Sequence, residues 1–83
     1  MKLFYFAWVR QKLGKSEEEF SLPPDIKTVG DLLTCLRKRD DAYADALADG
    51  KSLRAAVNQT YVQFDATVSD RDEVAFFPPV TGG

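Results

Sequence analysis

Thr28-Val29-Gly30-Asp31-Leu32-Leu33-Thr34-Cys35-Leu36 is the stretch from which the fold can be read. Thr28 suits an N-cap, and Asp31, three residues later, is an acidic variant of the capping box. Val29, Leu32, Leu33 and Leu36 recur at i, i+3, i+4 and i+7, which draws a single apolar stripe along a helix. Arg37, Lys38 and Arg39 place cations in the last turn, where they complement the helix dipole. A helix with one apolar stripe must lay it on another element, and the flanking segments supply a sheet.

Upstream, Lys2-Leu3-Phe4-Tyr5-Phe6-Ala7-Trp8-Val9 is rich in aromatic and β-branched types and predicts a strand. Alternation puts Leu3, Tyr5, Ala7 and Val9 on one face and Phe4, Phe6 and Trp8 on the other. Gly14 and Lys15 sit in a polar turn. Residues 17–22 predict a second strand with Phe20 and Leu22 on its apolar face, ended by Pro23-Pro24-Asp25. Downstream, Asp40-Asp41 marks a helix boundary, and a shorter helical stretch runs through Tyr43, Ala46 and Leu47 to a stop at Gly50. Residues 53–58 predict a strand, Asn58-Gln59 a tight turn, and Tyr61-Val62 the start of a short strand. After a turn at Asp70-Arg71-Asp72 comes the last strand, Glu73–Phe77. Val74 and Phe76 share one of its faces, Ala75 and Phe77 the other, and Pro78-Pro79 end it.

The element order is β-β-α-β-β(-β), with one helix long enough to cover a sheet. The simplest packing is an α+β fold of the β-grasp, or ubiquitin-like, kind. It is a mixed sheet of four to five strands with the main helix across one face, the first and last strands lying central and parallel. We expect one domain over residues 1–77 and a flexible C-terminal Gly-Gly tail over 78–83.

With 83 residues the chain holds one domain, and it must use its 45% hydrophobic content efficiently. The net charge of −2, without a long basic run, argues against nucleic acid or an anionic membrane as partner. Residues 1–9 lack the basic segment and cleavage site of a signal peptide, and nothing approaches the roughly 20 apolar residues of a bilayer span. A single cysteine, Cys35, allows no internal disulfide and fits a reducing compartment, so a cytoplasmic protein is expected. Without a histidine the chain lacks the commonest general base and the commonest transition-metal ligand, and no metal site is expected.

The chemistry is expected at the tail. Pro78-Pro79 stiffen the exit from the last strand, and residues 78–83 reach about 20 Å when extended. Gly82-Gly83 can thread a narrow channel because glycine has no Cβ. The Gly83 carboxyl, with an ordinary pKa of about 3.5, is ionised at neutral pH and can attack the α-phosphate of ATP. The chain has no Gly-rich phosphate loop, so another protein must supply the ATP. The resulting acyl-adenylate is a mixed anhydride that a sulfur nucleophile converts to a thiocarboxylate. A Gly-Gly end is also what a frayed terminus looks like; the Pro-Pro base, the glycine tip and the compact acidic domain together favour the functional reading.

A second candidate is the outer sheet face. If Leu3, Tyr5, Val9, Val57, Val74 and Phe76 face the helix, then Phe4, Phe6, Trp8 and Phe77 face away, and Tyr61 can join them. Exposed aromatic clusters mark protein interfaces, and Phe6, Tyr61 and Phe77 are the expected members. A covering loop or self-association are the other ways such a face is used. Cys35, one position from the helix stripe, reads as a buried or half-buried small residue rather than a nucleophile. Glu17-Glu18-Glu19 reads as a solvated strand edge, and Asp70 with Asp72 as turn residues.

Ala55-Ala56-Val57-Asn58-Gln59-Thr60 and the ending Asp72-Glu73-Val74-Ala75-Phe76-Phe77-Pro78-Pro79-Val80-Thr81-Gly82-Gly83 resemble the small, sulfur-carrier subunit of molybdopterin synthase. Ala7-Trp8-Val9-Arg10, Leu13-Gly14 and Thr28-Val29-Gly30-Asp31-Leu32 are similar to that family too, so the resemblance spans essentially the whole chain. It implies a β-grasp fold and a carrier that is not an enzyme on its own. An E1-like activating enzyme would adenylate Gly83, and a sulfur donor such as a cysteine desulfurase would convert the glycyl adenylate to 1-thioglycine. The tail (Pro78, Pro79, Val80, Thr81, Gly82, Gly83) would then enter the large catalytic subunit of the synthase and give its sulfur to cyclic pyranopterin monophosphate. No cofactor is bound in this scheme, and two small and two large subunits are expected together. Trp8 and Tyr61 depart from the family by standing where smaller or aliphatic residues are expected. Three other functions fit the same tail. A sulfur carrier for thiamine synthesis would feed a different acceptor, a ubiquitin-like modifier would give a product ligated to lysine, and a plain interaction domain would work without Gly83.

Overall fold

The fold was established from a computed structural model, which describes residues 1–48 and 53–79. Lys2–Tyr5 form strand β1, Ala7–Leu13 helix α1, Glu17–Glu19 strand β2, Val29–Arg37 helix α2 and Asp41–Ala46 helix α3. Strands β3 (Arg54–Val57), β4 (Thr60–Val62) and β5 (Glu73–Phe77) complete the chain. The five strands make one mixed sheet in the order β2-β1-β5-β3-β4. The two central strands are parallel, with Leu3 opposite Val74 and Tyr5 opposite Phe76. The other neighbours pair antiparallel. This is the expected β-grasp arrangement.

Helix α2 forms as its sequence dictates. The Thr28 side chain accepts from Asp31 N at 3.1 Å, and Asp31 Oδ2 accepts from Thr28 N at 3.3 Å, closing the capping box. Val29, Leu32, Leu33 and Leu36 are all buried. They pack on Leu3, Tyr5, Val74 and Phe76 from the two central strands, which have no exposed surface. Strand interiors that alternate in this way commit one face to the core and leave the other for something else. The expected helix boundary at Asp40 is also present: its side chain caps α3 by accepting from Tyr43 N. The predicted stop at Gly50 lies outside the described residues.

Two sequence expectations are corrected. The first strand does not run to Val9; it ends at Tyr5, and residues from Ala7 onward are helical. Ala7 adopts φ +53°, which breaks strand pairing, and Phe6 O then accepts from both Val9 N and Arg10 N. Gly14 closes the helix at φ +74°, its N–H donating to Arg10 O, as a C-terminal glycine does. Val9 is buried all the same, but from a helix. Trp8 is half-buried against the core instead of standing on the outer face with Phe4 and Phe6. The second correction concerns Glu17-Glu18-Glu19. Strand β2 is only these three residues, shorter than residues 17–22, and Glu18 is not solvated like its neighbours. Opposite Leu3, it points to the inner face. There its Oε2 accepts from Tyr5 Oη at 2.7 Å and Tyr43 Oη at 2.6 Å, while Oε1 accepts from Arg39 at 3.0 Å.

Candidate functional site

On the outer sheet face, cross-strand pairing sets Ala56 opposite both Ala75 and Tyr61, and Arg54 opposite Phe77. The two alanines carry too little bulk to fill the face, so the larger neighbours stand around a shallow floor. The result is an apolar hollow lined by Phe6, Ala7, Ala56, Gln59, Tyr61, Ala75, Phe77, Pro78 and Pro79. A smaller depression continues it along the strands, between Phe4, Phe6, Ala56, Gln59, Glu73 and Ala75. Tyr61 and Phe77 stack with ring centroids 5.3 Å apart and planes tilted by 40°. Phe6 is 48% exposed and Tyr61 72%, so both present large apolar surface to solvent. Such surface is rare on a monomer unless another molecule covers it.

The three aromatic residues expected on this face, Phe6, Tyr61 and Phe77, therefore line one hollow. Phe4 borders the adjoining depression and Trp8 lies elsewhere. Ala56, Ala75, Ala7 and Gln59 were not anticipated. The alanines had a visible signal, because Ala75 and Phe77 share a face of β5 and a small residue between large ones leaves a recess. The hairpin also had one. Asn58 and Gln59 join β3 to β4 with φ +51° and +70°, the two-residue turn expected from their sequence.

Strand β5 ends at Phe77, and Pro78 and Pro79 continue along the hollow's rim. The chain thus leaves the sheet beside the exposed aromatic patch. Val80, Thr81, Gly82 and Gly83, the rest of the expected tail, lie outside the described residues. Residues 80–83 can reach at most about 14 Å from Pro79.

The other polar candidates singled out in the sequence, Cys35, Asp70 and Asp72, belong to the folded body. Cys35 is half-buried beside the α2 stripe. Asp72 accepts from Ser69 N and Asn58 Nδ2, and Asp70 accepts from Leu22 N, so the two carboxylates tie loops together. Backbone and N-terminal hydrogen bonds hold the Asp70 carboxyl below its ordinary range. Among the described residues no cluster of His, Cys, Asp or Glu could hold a metal ion, and no helix is long and apolar enough to cross a membrane.

Residues 3–83 match the ThiS family. The chain is 49% identical, over 83 residues, to the molybdopterin synthase sulfur carrier subunit of Escherichia coli strain K12, covering 100% of this chain and 99% of that protein. It resembles the crystal structure of SAMP1, a small archaeal modifier protein, from Haloferax volcanii, with a TM-score of 0.77 and 27% identity over 100% of this chain and 98% of the other. A Pyrococcus furiosus structure described as molybdopterin converting factor, subunit 1, superimposes with a TM-score of 0.76 at 34% identity, covering 95% of each chain.

Proposed function

The chain belongs to the ThiS family, and on that premise we propose that it is a sulfur carrier in molybdenum cofactor biosynthesis, working through the carboxylate of Gly83. The observation that carries this reading is the position of Pro78 and Pro79 on the rim of the hollow that Phe6, Tyr61 and Phe77 line. A protein that grips this hollow holds the root of the tail, and a tip with a reach of at most about 14 Å can then enter that protein's own active site. Docking surface and reactive end are coupled by proximity, so each partner in turn can fix the tail through the hollow while supplying its own catalytic groups at the tip.

The proposed cycle has two stages. An E1-like enzyme binds the hollow and supplies ATP; a Gly83 carboxylate oxygen attacks the α-phosphorus and pyrophosphate leaves. A donor such as a cysteine desulfurase presents a persulfide, whose outer sulfur attacks the acyl carbon of the glycyl adenylate as AMP leaves. A thiol then attacks the donor-side sulfur of the resulting acyl disulfide, breaking the S–S bond, so that 1-thioglycine leaves and the donor cysteine stays in a mixed disulfide. The loaded chain next docks on the large catalytic subunit of molybdopterin synthase and gives its sulfur to cyclic pyranopterin monophosphate. This chain contributes the carrier end and the docking face, and the partners supply the catalytic groups. A cycle that consumes ATP, in a chain whose one cysteine is unpaired, fits a cytoplasmic setting.

The test is intact mass after incubation with the activating enzyme, ATP and a sulfur source. The expected result is a gain equal to sulfur minus oxygen. No change of mass, with an activating enzyme shown to be competent on another carrier, would overturn the reading. The likeness to SAMP1 supports a second reading, a modifier joined through Gly83 to lysines of other proteins. It would show as ligated products in place of the thiocarboxylate.

The docking face carries its own prediction. Phe77→Asp places a charge in the apolar hollow and removes the ring stacked on Tyr61. Affinity for the large subunit should fall about thirtyfold or more, the loss typical of a central aromatic anchor. The fold should lose only on the order of 1 kcal/mol, because the face is already solvated. Calorimetric titration that returned the parent affinity would remove Phe77 from the interface.

A further inference from the structure

We infer that Gln59 is a specificity-determining residue of the docking hollow, whose side-chain amide hydrogen-bonds the main chain of the large synthase subunit. The inference rests on the carrier reading above and starts from a conformational cost. Among the described residues, the only non-glycine residues at positive φ are Ala7, Asn58 and Gln59. Asn58 has an evident reason to be there. It is the amino acid best suited to the first position of a two-residue hairpin with both central φ values positive, and its side chain is engaged on both sides. Nδ2 donates to Asp72 Oδ1 at 3.0 Å and Oδ1 accepts from Glu73 N at 3.0 Å.

Gln59 has no such reason. At φ +70° it occupies the second position of the turn, where glycine is the preferred residue and a Cβ is a steric burden. Its amide makes no hydrogen bond within the described residues that would compensate. It is exposed, and it lines both the hollow and the adjoining depression, so it stands where the two meet. Ala7, at φ +53°, also lines the hollow. Backbone strain that a glycine would relieve thus falls at the rim of one apolar surface, and strain of this kind is retained where a side chain serves a purpose other than stability.

The chemistry of the surroundings narrows that purpose. The hollow is otherwise built from aromatic, alanine and proline side chains, which bind apolar groups without fixing their orientation. A primary amide offers one acceptor and two donors, a match for the N–H and C=O of a peptide segment crossing the hollow. The partner feature implied is an apolar side chain seated between Phe6, Tyr61 and Phe77, followed by main-chain groups within reach of Gln59. One such hydrogen bond sets register and discriminates among partners that present a similar apolar anchor.

The experiment compares Gln59→Gly with the parent for thermal unfolding and for titration with the large synthase subunit. The expected result is a divergence: a melting temperature equal to or above the parent's, because the turn strain is relieved, and affinity about tenfold weaker, because a hydrogen bond is lost. Parent-like affinity would overturn the inference, and so would a loss of stability, which would mean that the side chain serves the hairpin itself. Phe77→Asp is measured alongside. If it weakens binding while Gln59→Gly does not, the docking reading stands and the role of Gln59 falls. If neither weakens binding, the docking reading has failed.

Discussion

Removal of Gly83 is expected to abolish sulfur loading while leaving the fold intact. The proposed reaction needs a terminal carboxylate at a fixed reach from the hollow. A chain ending at Gly82 still has a carboxylate, but it is one residue, about 3.5 Å, short of the ATP held by the activating enzyme. Misplacement of a nucleophile on that scale removes most of the advantage of an oriented reaction, so loss by a factor of a hundred or more, on the order of 3 kcal/mol in the barrier, is expected. Adding a residue after Gly83 should be as damaging, because it moves the carboxylate too far and puts a Cβ where only glycine passes. Stability should hardly change in either variant. The buried side chains of the described core come from positions between Met1 and Phe76, and glycine has no side chain to bury. The measurement is the thiocarboxylate yield by intact mass, with thermal unfolding alongside. Undiminished loading of the shortened chain would show that the carboxylate does not act at a fixed reach. A large drop in melting temperature would show that Gly83 belongs to the folded body.

Glu18→Ala should be the most destabilising single change at a polar residue among those described. The carboxylate is 13% exposed and accepts hydrogen bonds from Tyr5, Tyr43 and Arg39, with Lys15 3.7 Å away. It joins β1, β2 and α3 to the Arg39 that follows α2, and the Arg39 guanidinium lies over the Tyr43 ring at 4.6 Å. Truncation leaves the hydroxyl of fully buried Tyr5 without its acceptor and the positive charge of Arg39 without its partner. A loss of about 3 kcal/mol is expected, which for a domain of this size is on the order of 15 °C in melting temperature. Glu18→Gln keeps an acceptor oxygen and should lose less. A melting temperature within a few degrees of the parent for Glu18→Ala would refute the structural role.

The same cluster fixes a pH dependence. Burial alone would raise the Glu18 carboxyl, but hydrogen bonds from Tyr43, Tyr5 and Arg39 outweigh it and hold the group below its ordinary 4.5. As pH falls, the unfolded chain takes up this proton before the folded one does. The stability that Glu18 supplies is therefore complete above about pH 4.5 and is lost as pH drops through the lower folded value. Burial, then the Glu18 carboxylate, raise the phenols of Tyr5 and Tyr43 above their ordinary 10.0, so their contribution is complete below that pH and is lost above it. Denaturant titrations across pH should show a plateau between these limits. The acid slope should be shallower in Glu18→Gln, and an unchanged slope would assign the acid loss to other carboxylates.

The sequence by itself determined those features in which one local rule acts without competition. Thr28 and Asp31 cap α2 because the capping box needs only residues three apart. Val29, Leu32, Leu33 and Leu36 form one stripe because the helical repeat is fixed. Asn58 opens the two-residue turn because few residues tolerate positive φ as readily. The end of β5 at Phe77 was legible for the same reason, because Pro78-Pro79 cannot continue a ladder whatever lies elsewhere in the chain. Tertiary structure decided what depended on partners distant in sequence. Phe6-Ala7-Trp8 satisfies strand propensity as well as helix, and the choice fell to helix once Ala7 turned the chain off the sheet and Val9 reached the core from α1. Glu18 resembles its two solvated neighbours in composition. It differs because register sets it opposite Leu3, beneath Tyr43 from a helix 25 residues along the chain. The hollow is likewise a product of pairing: Ala56 lies opposite Ala75 only because β3 joins β5 antiparallel in that register. Propensity acts within a few residues, whereas burial depends on which side chains the sheet brings face to face.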